Sequence, residues 1–284
     1  MAHITAFINL KGGVGKTTTA VAVAEMLAGE HGRRVLLIDL DPQTNATVML
    51  IGEERWGELN EKKHTLARLF ADSLEEDETK RSFDLGSTIQ RRVSPVRDVR
   101  TLDLLPSSLD MIDVQDRLAS IPVGRYYSTN PTSLLQRAVK PIIDEYDHVL
   151  LDCPPNLGII TLNGLRMADG YIIPTIPDFL STYGIPQILT RVSGFAQELA
   201  EHIEPHGIVI SKYRAAATVH NTTIERLRSD DRMPPVFNSV IPESNQIAAA
   251  AEYGSLGTLR QRYGYAGQFD AYAGLTKEFL EVVE

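Results

Sequence analysis

The stretch Lys11-Gly12-Gly13-Val14-Gly15-Lys16-Thr17-Thr18 decides the fold of this chain, and it follows an apolar segment, Ile4 to Asn9. A strand, a glycine-rich turn and a Lys-Thr pair that opens a helix bring several backbone N–H groups around one point. The helix dipole also favours negative charge there. Since glycine lacks a Cβ atom, the backbone can curl closely around an anion. The stretch therefore predicts a phosphate-binding loop.

Three side chains of this loop have predicted roles in holding a nucleotide. Lys16 can reach the β and γ phosphates, and the Thr17 hydroxyl can ligate Mg²⁺. Thr18 is expected to help hold the α-phosphate. The strict pattern G-x-x-x-x-G-K-[ST] is not met, because Leu10 stands at its first glycine position. A search for the strict pattern would therefore miss this loop.

Apolar, strand-like segments recur along the chain with helical stretches between them, which is typical of a parallel sheet covered by helices on both faces. The segments are Ile4 to Asn9, Val35 to Asp39, Leu102 to Pro106, His148 to Asp152, Gly170 to Thr175, His206 to Ser211 and Pro235 to Ile241. Between the first two, Thr17 to Glu30 is predicted to be a crossover helix. We expect an α/β fold with a doubly wound, mostly parallel sheet of about seven to eight strands flanked by helices.

The length and composition favour one globular unit. A chain of 284 residues with 43% hydrophobic and 23% charged residues can bury a core of its own. We expect a single domain over residues 1–284, interrupted by a charged excursion at about residues 53–100. A short helix is expected within it, around Thr65 to Phe70. We assign no chemistry to the excursion.

The composition also excludes several classes of protein. One cysteine, Cys153, allows no internal disulfide and favours a reducing cytoplasm. No stretch approaches the roughly 20 apolar residues that cross a bilayer, so we expect no membrane span. The formal net charge of −9 repels phosphate backbones on average. Any contact with nucleic acid would have to use a local basic patch.

Two carboxylates follow the second apolar strand. In Val35-Leu36-Leu37-Ile38-Asp39-Leu40-Asp41, the acids lie two residues apart and share a face if the chain is extended. Ligands of doubly wound sheets bind at the carboxyl ends of the strands. Either acid could orient a water molecule or the Mg²⁺ shell, and either could instead cap the end of the strand.

The phosphate loop resembles the deviant Walker A box of the ParA/MinD ATPases, and Lys11 carries the distinction. The resemblance implies that this signature lysine crosses a nucleotide-sandwich dimer to the partner's phosphates and acts like an arginine finger supplied in trans. A cation that arrives only on dimerisation can stabilise charge that develops during phosphoryl transfer. Hydrolysis of ATP would then require two chains.

The resemblance extends to further segments of the chain. It implies that Asp41 positions the attacking water. Val149-Leu150-Leu151-Asp152 resembles the Walker B strand of the family, so Asp152 is expected to hold Mg²⁺. Val240-Ile241-Pro242 matches a segment that approaches the adenine ring in relatives, which makes Pro242 a candidate base contact. The implied catalytic residues are Lys11, Lys16 and Asp41, and the implied metal site comprises Thr17, Asp39 and Asp152.

Within this family the partition branch fits best. Nitrogenase-iron-protein relatives need two cysteines from each chain, and only Cys153 is present. MinD-like relatives end in a basic amphipathic helix that binds membrane, whereas this chain ends in an acidic segment, residues 276–284. We therefore expect no membrane partner.

Partition ATPases bind DNA non-specifically as ATP-bound dimers, through basic residues in the C-terminal half. A partner on the cargo then stimulates hydrolysis. The candidates here are Arg191, Lys212, Arg214, Arg226 and Arg228. Arg226 and Arg228 lie on a predicted helix, Asn221 to Ser229. Each of the five residues could equally be ordinary solvated surface.

These resemblances predict a cytoplasmic, nucleoid-associated ATPase that uses ATP and Mg²⁺. It would form a homodimer, bind non-specific DNA, respond to a ParB-like activator on the cargo, and partition plasmid or chromosomal DNA. One alternative is a ParA-like protein that positions a protein cargo on the nucleoid. An alternative from another class is a biosynthetic enzyme of the dethiobiotin-synthetase type, which would share the loop and the sheet but would give Lys11 no role.

Overall fold

The computed structural model describes residues 2–120 and 131–284, and within them it shows a six-stranded sheet. The strands are β1 (His3–Phe7), β2 (Val35–Asp39), β3 (Leu102–Leu105), β4 (His148–Asp152), β5 (Gly170–Thr175) and β6 (Glu204–Ile210). Their order is β3-β2-β4-β1-β5-β6, and every neighbouring pair is parallel. The carboxyl ends of all six strands therefore lie at one edge of the sheet.

Helices connect the strands, as a parallel sheet requires. In the described ranges the α-helices are α1 (Lys16–Gly29), α2 (Asn45–Glu61), α3 (Leu66–Asp72), α4 (Leu85–Thr88), α5 (Met111–Ala119), α6 (Leu134–Val139), α7 (Ile159–Met167), α8 (Phe179–Thr182), α9 (Ile185–Leu199), α10 (Thr218–Ser229), α11 (Asn245–Ala249), α12 (Leu259–Tyr263) and α13 (Gln268–Val283). One-turn 3₁₀ helices lie at Glu78–Lys80, Pro131–Ser133 and Ile143–Glu145.

Two hydrophobic cores lie on the two faces of the sheet. Successive residues of a strand point to opposite faces. In β2, Leu36 and Ile38 accordingly belong to one core, while Val35 and Leu37 belong to the other. This burial on both faces explains why the strands appear in the sequence as continuous apolar runs. The predicted class, a doubly wound α/β fold flanked by helices, is confirmed.

The strand count is lower than the predicted seven to eight. Residues 235–241, predicted as a strand, pair with β6 only through isolated bridges and a few hydrogen bonds. The physical reason is that Pro235 has no N–H group to donate. The amides of Asn238 and Ser239 donate instead to the Glu278 carboxylate, at 2.6 and 2.7 Å. The continuous ladder of a seventh strand is therefore lost.

The charged excursion at residues 53–100 is more structured than its composition indicates. Helix α2 continues to Glu61, and α3 runs two residues beyond the predicted Phe70. Phe70 and Val96 are fully buried, and Gln90 pairs with Leu104 at the edge of the sheet. The excursion therefore covers the β3 edge, where an exposed row of backbone groups would otherwise remain.

No helix in residues 2–120 or 131–284 is long and apolar enough to cross a membrane.

A buried histidine lies at the amino end of β4. The His148 side chain is 1% exposed, and its Nε2 atom lies 3.6 Å from Oε1 of Glu284. Burial lowers the pKa of His148 to about 4, although the Glu284 carboxylate opposes this shift. His3 and Arg33 also face the ring and favour its neutral form. The folded protein therefore keeps His148 uncharged at neutral pH.

We predict that His148 makes stability depend on pH between its ordinary pKa of 6.5 and the folded pKa of about 4. In that window the unfolded chain binds more protons, so stability is full above pH 6.5 and falls as the pH drops towards 4. The loss should reach on the order of 3 kcal/mol. Urea unfolding at pH 7.5 and pH 5 should show a smaller difference for His148→Phe than for the wild type. The exposed-site control His31→Gln should retain the wild-type difference, and an unchanged difference in His148→Phe would contradict the assignment.

Candidate functional site

The phosphate loop leaves the end of β1 and enters α1. Gly13 and Gly15 adopt left-handed conformations, with φ of 76° and 80°, which residues with a Cβ atom rarely adopt. Gly15 is the N-cap of α1, and no side chain caps the helix. The backbone N–H groups of the first turn therefore remain available as donors to an anion.

Side chains from distant parts of the chain hold the loop in place. The Ser211 hydroxyl, just after β6, donates to the Val14 carbonyl at 2.7 Å. At the other end of the loop, the Asn9 side chain accepts from the Lys11 amide at 2.9 Å and donates to the Pro174 carbonyl at 2.8 Å. The curve of the loop is therefore fixed before any ligand binds.

A cavity of about 320 Å³ opens over the loop, which is within the size range of small-molecule sites. One side is lined by Gly12, Gly13, Gly15, Lys16, Thr17 and Thr18. The remaining lining residues are Asp41, Gln43, Asn45, Val48, Met49, Pro155, Lys212 and Ala251. The cavity thus has a polar end at the loop and apolar side chains on the walls formed by α2 and residue 251.

Lys16 is a buried cation at the polar end of the cavity. Its Nζ atom donates to the Lys11 carbonyl at 3.2 Å. Burial lowers the pKa of Lys16, while the carboxylates of Asp152 and Asp41 oppose this shift. A phosphate group would supply the negative charge that this ammonium lacks.

The two acids after β2 have different environments in the structure. Asp39 is fully buried and accepts from the Thr47 amide and hydroxyl at 2.9 and 2.7 Å, and from the Asp41 amide at 3.1 Å. Burial raises the pKa of Asp39 to about 7. Asp41 lines the cavity and is 5% exposed. Asp41 therefore faces the ligand space, whereas Asp39 secures the start of α2, and its predicted place in the metal site stays a prediction.

Asp152 is a buried carboxylate whose charge a bound cation would neutralise. It lies opposite Asp39 in the pairing of β2 and β4 and is completely buried. Among residues 2–120 and 131–284, neither carboxylate oxygen has a partner that meets hydrogen-bond geometry. Burial, followed by the charge of Asp39, raises the pKa of Asp152 well above its ordinary value, and the nearby Thr17 hydroxyl opposes this shift. An unpartnered buried carboxylate beside Thr17 fits Mg²⁺.

A metal held by the protein alone does not fit this site. Within the described residues, no three His, Cys, Asp or Glu side chains are grouped so as to hold a metal ion. Mg²⁺ usually binds one or two carboxylates together with phosphate oxygens and water. The donors present therefore suit a cation that binds together with a nucleotide.

Lys11 is held outside the cavity of its own chain. Its ammonium donates to the Ser181 hydroxyl at 2.9 Å and lies 3.6 Å from Oδ1 of Asp178. Its side chain is 39% exposed, and Lys11 is not among the residues that line the cavity. The lysine therefore begins in the phosphate loop but directs its charge to the start of α8.

The remaining predicted residues lie in different settings. Pro242 is not among the cavity-lining residues, so its contact with adenine stays a prediction. Arg214 pairs with Glu243, Arg226 donates to the Thr182 hydroxyl at 3.3 Å, and Arg228 donates to the Phe237 carbonyl at 3.3 Å. Arg191 is exposed on α9, and Lys212 lines the cavity.

Several residues of the site were not found from the sequence. Ser211, Met49 and Ala251 belong to segments without a motif, and only the fold brings them to the loop. Gln43 and Asn45 follow Asp41 closely, and that proximity was the one available signal. Thr47, the partner of Asp39, could have been suspected from the same short stretch.

Comparison with known proteins agrees with this geometry. Residues 2–205 match the AAA_31 family, described as an AAA domain. The chromosome-partitioning ATPase Soj of Thermus thermophilus is 30% identical over 279 residues, which cover 98% of this chain and 96% of the relative. The chromosome partitioning protein ParA of Myxococcus xanthus is 28% identical over 252 residues, or 89% and 79% of the two chains.

A solved structure shares the architecture as well. Cobyrinic acid a,c-diamide synthase from Mycobacterium smegmatis, with a bound ATP analogue and magnesium, has a TM-score of 0.73 and 25% identity. The match covers 99% of this chain and 95% of that one. The parallel sheet, the phosphate loop and its carboxylates define a P-loop nucleotide-binding protein. The chain belongs to the AAA domain family that its residues match and, within it, to the ParA-type ATPases.

We predict that Asp152→Asn abolishes the Mg²⁺-dependent part of the thermal stabilisation by ATP. Without nucleotide, the same change should raise the free energy of unfolding by about 1 kcal/mol, because a neutral amide of similar shape replaces a buried acid whose ionised form is desolvated. Asp144→Asn, at an exposed acid, serves as the control and should change neither quantity. An undiminished effect of Mg²⁺ in Asp152→Asn would show that Asp152 does not hold the metal.

Proposed function

We propose that this chain is a Mg-ATP-dependent ATPase that dimerises around its nucleotides and partitions plasmid or chromosomal DNA. ATP would control a cycle of non-specific DNA binding and release, and a ParB-like activator on the cargo would stimulate hydrolysis. The observation that carries the proposal is the position of Lys11, which begins in the phosphate loop but directs its ammonium away from the cavity of its own chain. Partition proteins among the relatives support the same activity.

The residues at the loop would account for the proposed ATP binding. Lys16, the backbone N–H groups of Gly12 to Gly15 and the first turn of α1 would hold the β and γ phosphates, and Thr18 would contact the α-phosphate. Asp41 faces the cavity and would orient the attacking water, since phosphoryl transfer depends mainly on positioning and on neutralising charge. Bound Mg²⁺ would supply part of that neutralisation, held by Thr17 and Asp152.

Lys11 would complete the site of a second chain. Its side chain is 39% exposed, and Lys11 is not among the described residues that line the cavity of its own chain. To act in trans, it would exchange Ser181 and Asp178 for the partner's phosphates. A positive charge that arrives on dimerisation lowers the barrier only when both chains are present. Hydrolysis would thereby be coupled to assembly.

We predict that substitutions of the two lysines of the loop affect different steps, ATP hydrolysis for Lys11 and ATP binding for Lys16. Lys11→Ala should keep its ATP affinity and lose stimulated phosphate release by roughly 10³-fold or more, as expected when a trans-acting cation is removed. Lys16→Ala should weaken ATP binding itself by about tenfold or more, because it removes a cation from the phosphate cradle. The exposed-site control Lys277→Ala should change neither quantity. Unchanged turnover in Lys11→Ala would refute the trans role, and normal ATP affinity in Lys16→Ala would refute its assignment.

The proposed DNA interface requires local positive charge, because the chain as a whole is acidic. Arg191 is exposed and makes no ion pair within the described residues, so it is the best placed of the five candidates. To bind DNA, Arg214, Arg226 and Arg228 would have to leave their present partners. Lys212 lines the cavity and could contact the nucleotide instead of DNA. A dimer would present each cation twice. The proposed location of the protein is the nucleoid, within the cytoplasm.

We predict that DNA binding requires ATP, weakens with salt and is indifferent to sequence. Gel shifts with ATP, ADP and no nucleotide across a salt series measure all three properties. Arg191→Met should reduce the salt slope by about one for each chain, because it removes one phosphate contact. In Lys212→Met, lower ATP affinity with unchanged DNA affinity would place Lys212 in the nucleotide site. Absence of ATP-dependent binding at low salt would contradict the proposed function.

A further inference from the structure

An ion pair lies entirely inside the protein, behind the nucleotide cavity. The side chains of Arg262 and Glu25 are both 0% exposed, and Nε of Arg262 lies 3.1 Å from Oε2 of Glu25. The Glu25 carboxylate also accepts from the Tyr263 and Ser94 hydroxyls, each at 2.6 Å. Because desolvation offsets the attraction of a buried pair, such a pair is weak evidence of a role in stability alone. Its connections to other elements are more informative.

Arg262 also bonds to the helix that forms one wall of the cavity. Its Nη2 atom donates to the Met49 carbonyl at 3.1 Å, and Met49 and Val48 line the cavity. Helical geometry in α2 is interrupted at Gly52, where φ is 76° and ψ is 164°. Carbonyls in the last turn before such a break lack the usual helical donor. The Arg262 guanidinium therefore supplies a donor to α2 close to the break in its helical geometry.

The chain that leads to Arg262 forms another part of the cavity wall. Ala251 lines the cavity. Tyr253 covers Gly52 so closely that an added Cβ atom there would lie 2.8 Å from the tyrosine ring. A Cβ atom added at Gly29 of α1 would likewise lie 2.8 Å from the Leu259 side chain. Side chains of residues 251–262 thus pack against both α1 and α2. Arg262 itself forms an ion pair with Glu25 of α1 and a hydrogen bond to Met49 of α2.

We infer that Arg262 is a positioning residue for the nucleotide. It fixes Met49, at the apolar wall of the cavity, relative to α1, the helix that begins at the phosphate loop. A purine ring and its ribose suit this wall, whereas the phosphates depend on the loop, which Ser211 and Asn9 hold independently. This role rests on the proposed ATP site and adds to it a residue that contacts no ligand atom.

The test compares two ligands that share phosphates but differ in the base. ATP and inorganic tripolyphosphate, each with Mg²⁺, are titrated into two variants by calorimetry. Glu25→Gln with Arg262→Met removes the guanidinium without leaving a buried carboxylate charge unpaired. Glu25→Gln alone is the matched control, because it retains the guanidinium that donates to Met49 and its amide oxygen can still accept from Arg262.

The double variant should bind ATP about tenfold more weakly than Glu25→Gln, while its affinity for tripolyphosphate stays within about twofold. A merely structural role would lower the melting temperature without changing the ratio of the two affinities. Equal ATP affinity in the two variants, or a parallel loss of both ligands, would overturn the inference. If the double variant does not fold, Arg262→Lys in the wild-type background gives the same comparison with a smaller loss of ATP affinity. Wild-type protein that binds no ATP would contradict the proposed function instead.

Discussion

Buried charge at the carboxyl edge of the sheet is the constraint on which the site depends. Asp39 and Asp152 lie opposite each other on neighbouring strands, and both are fully shielded from water. Thr47 and a backbone amide satisfy Asp39, whereas Asp152 has no partner with hydrogen-bond geometry in the described part of the chain. Desolvation favours neutral forms of the acids and of Lys16. A nucleotide with its metal would bring opposite charge to each group. Binding can therefore offset the cost of desolvating these buried groups.

The loop over this edge is rigid because its contacts come from far along the chain. Asn9, Pro174 and Ser211 fix its backbone, and the cation of Lys11 is held by Asp178 and Ser181. A preformed cradle loses little conformational freedom on binding. By contrast, the Lys11 side chain is partly exposed, so it can change partners at low cost. The proposed division of roles follows: the cradle binds the nucleotide in one chain, and the Lys11 cation acts in another.

Local patterns predicted most of the strands and the glycine-rich loop between β1 and α1. Strands β2, β4 and β5 appear at their predicted bounds because burial on both faces makes each a continuous apolar run. The strand predicted at residues 235–241 is wrong because Glu278, some 40 residues later, takes the amides that a ladder would use. Such competition has no local signature.

The limits of sequence reasoning at the site have the same origin. Glycine spacing and the Lys-Thr pair predict the loop, since their chemistry is local. The walls at Met49 and Ala251, and the Arg262 bond behind them, depend on contacts across more than 200 residues. The setting of Lys11 likewise depends on Ser181, 170 positions away.

The most direct test of the account is the rate of phosphate release per chain, measured with saturating Mg-ATP, DNA and activator over a range of protein concentrations. If the catalytic cation is supplied by a second chain, the rate per chain should rise with concentration and then saturate as dimers form. A rate per chain that does not change from the lowest concentration upwards, in a protein shown by sedimentation to be monomeric there, would contradict the account.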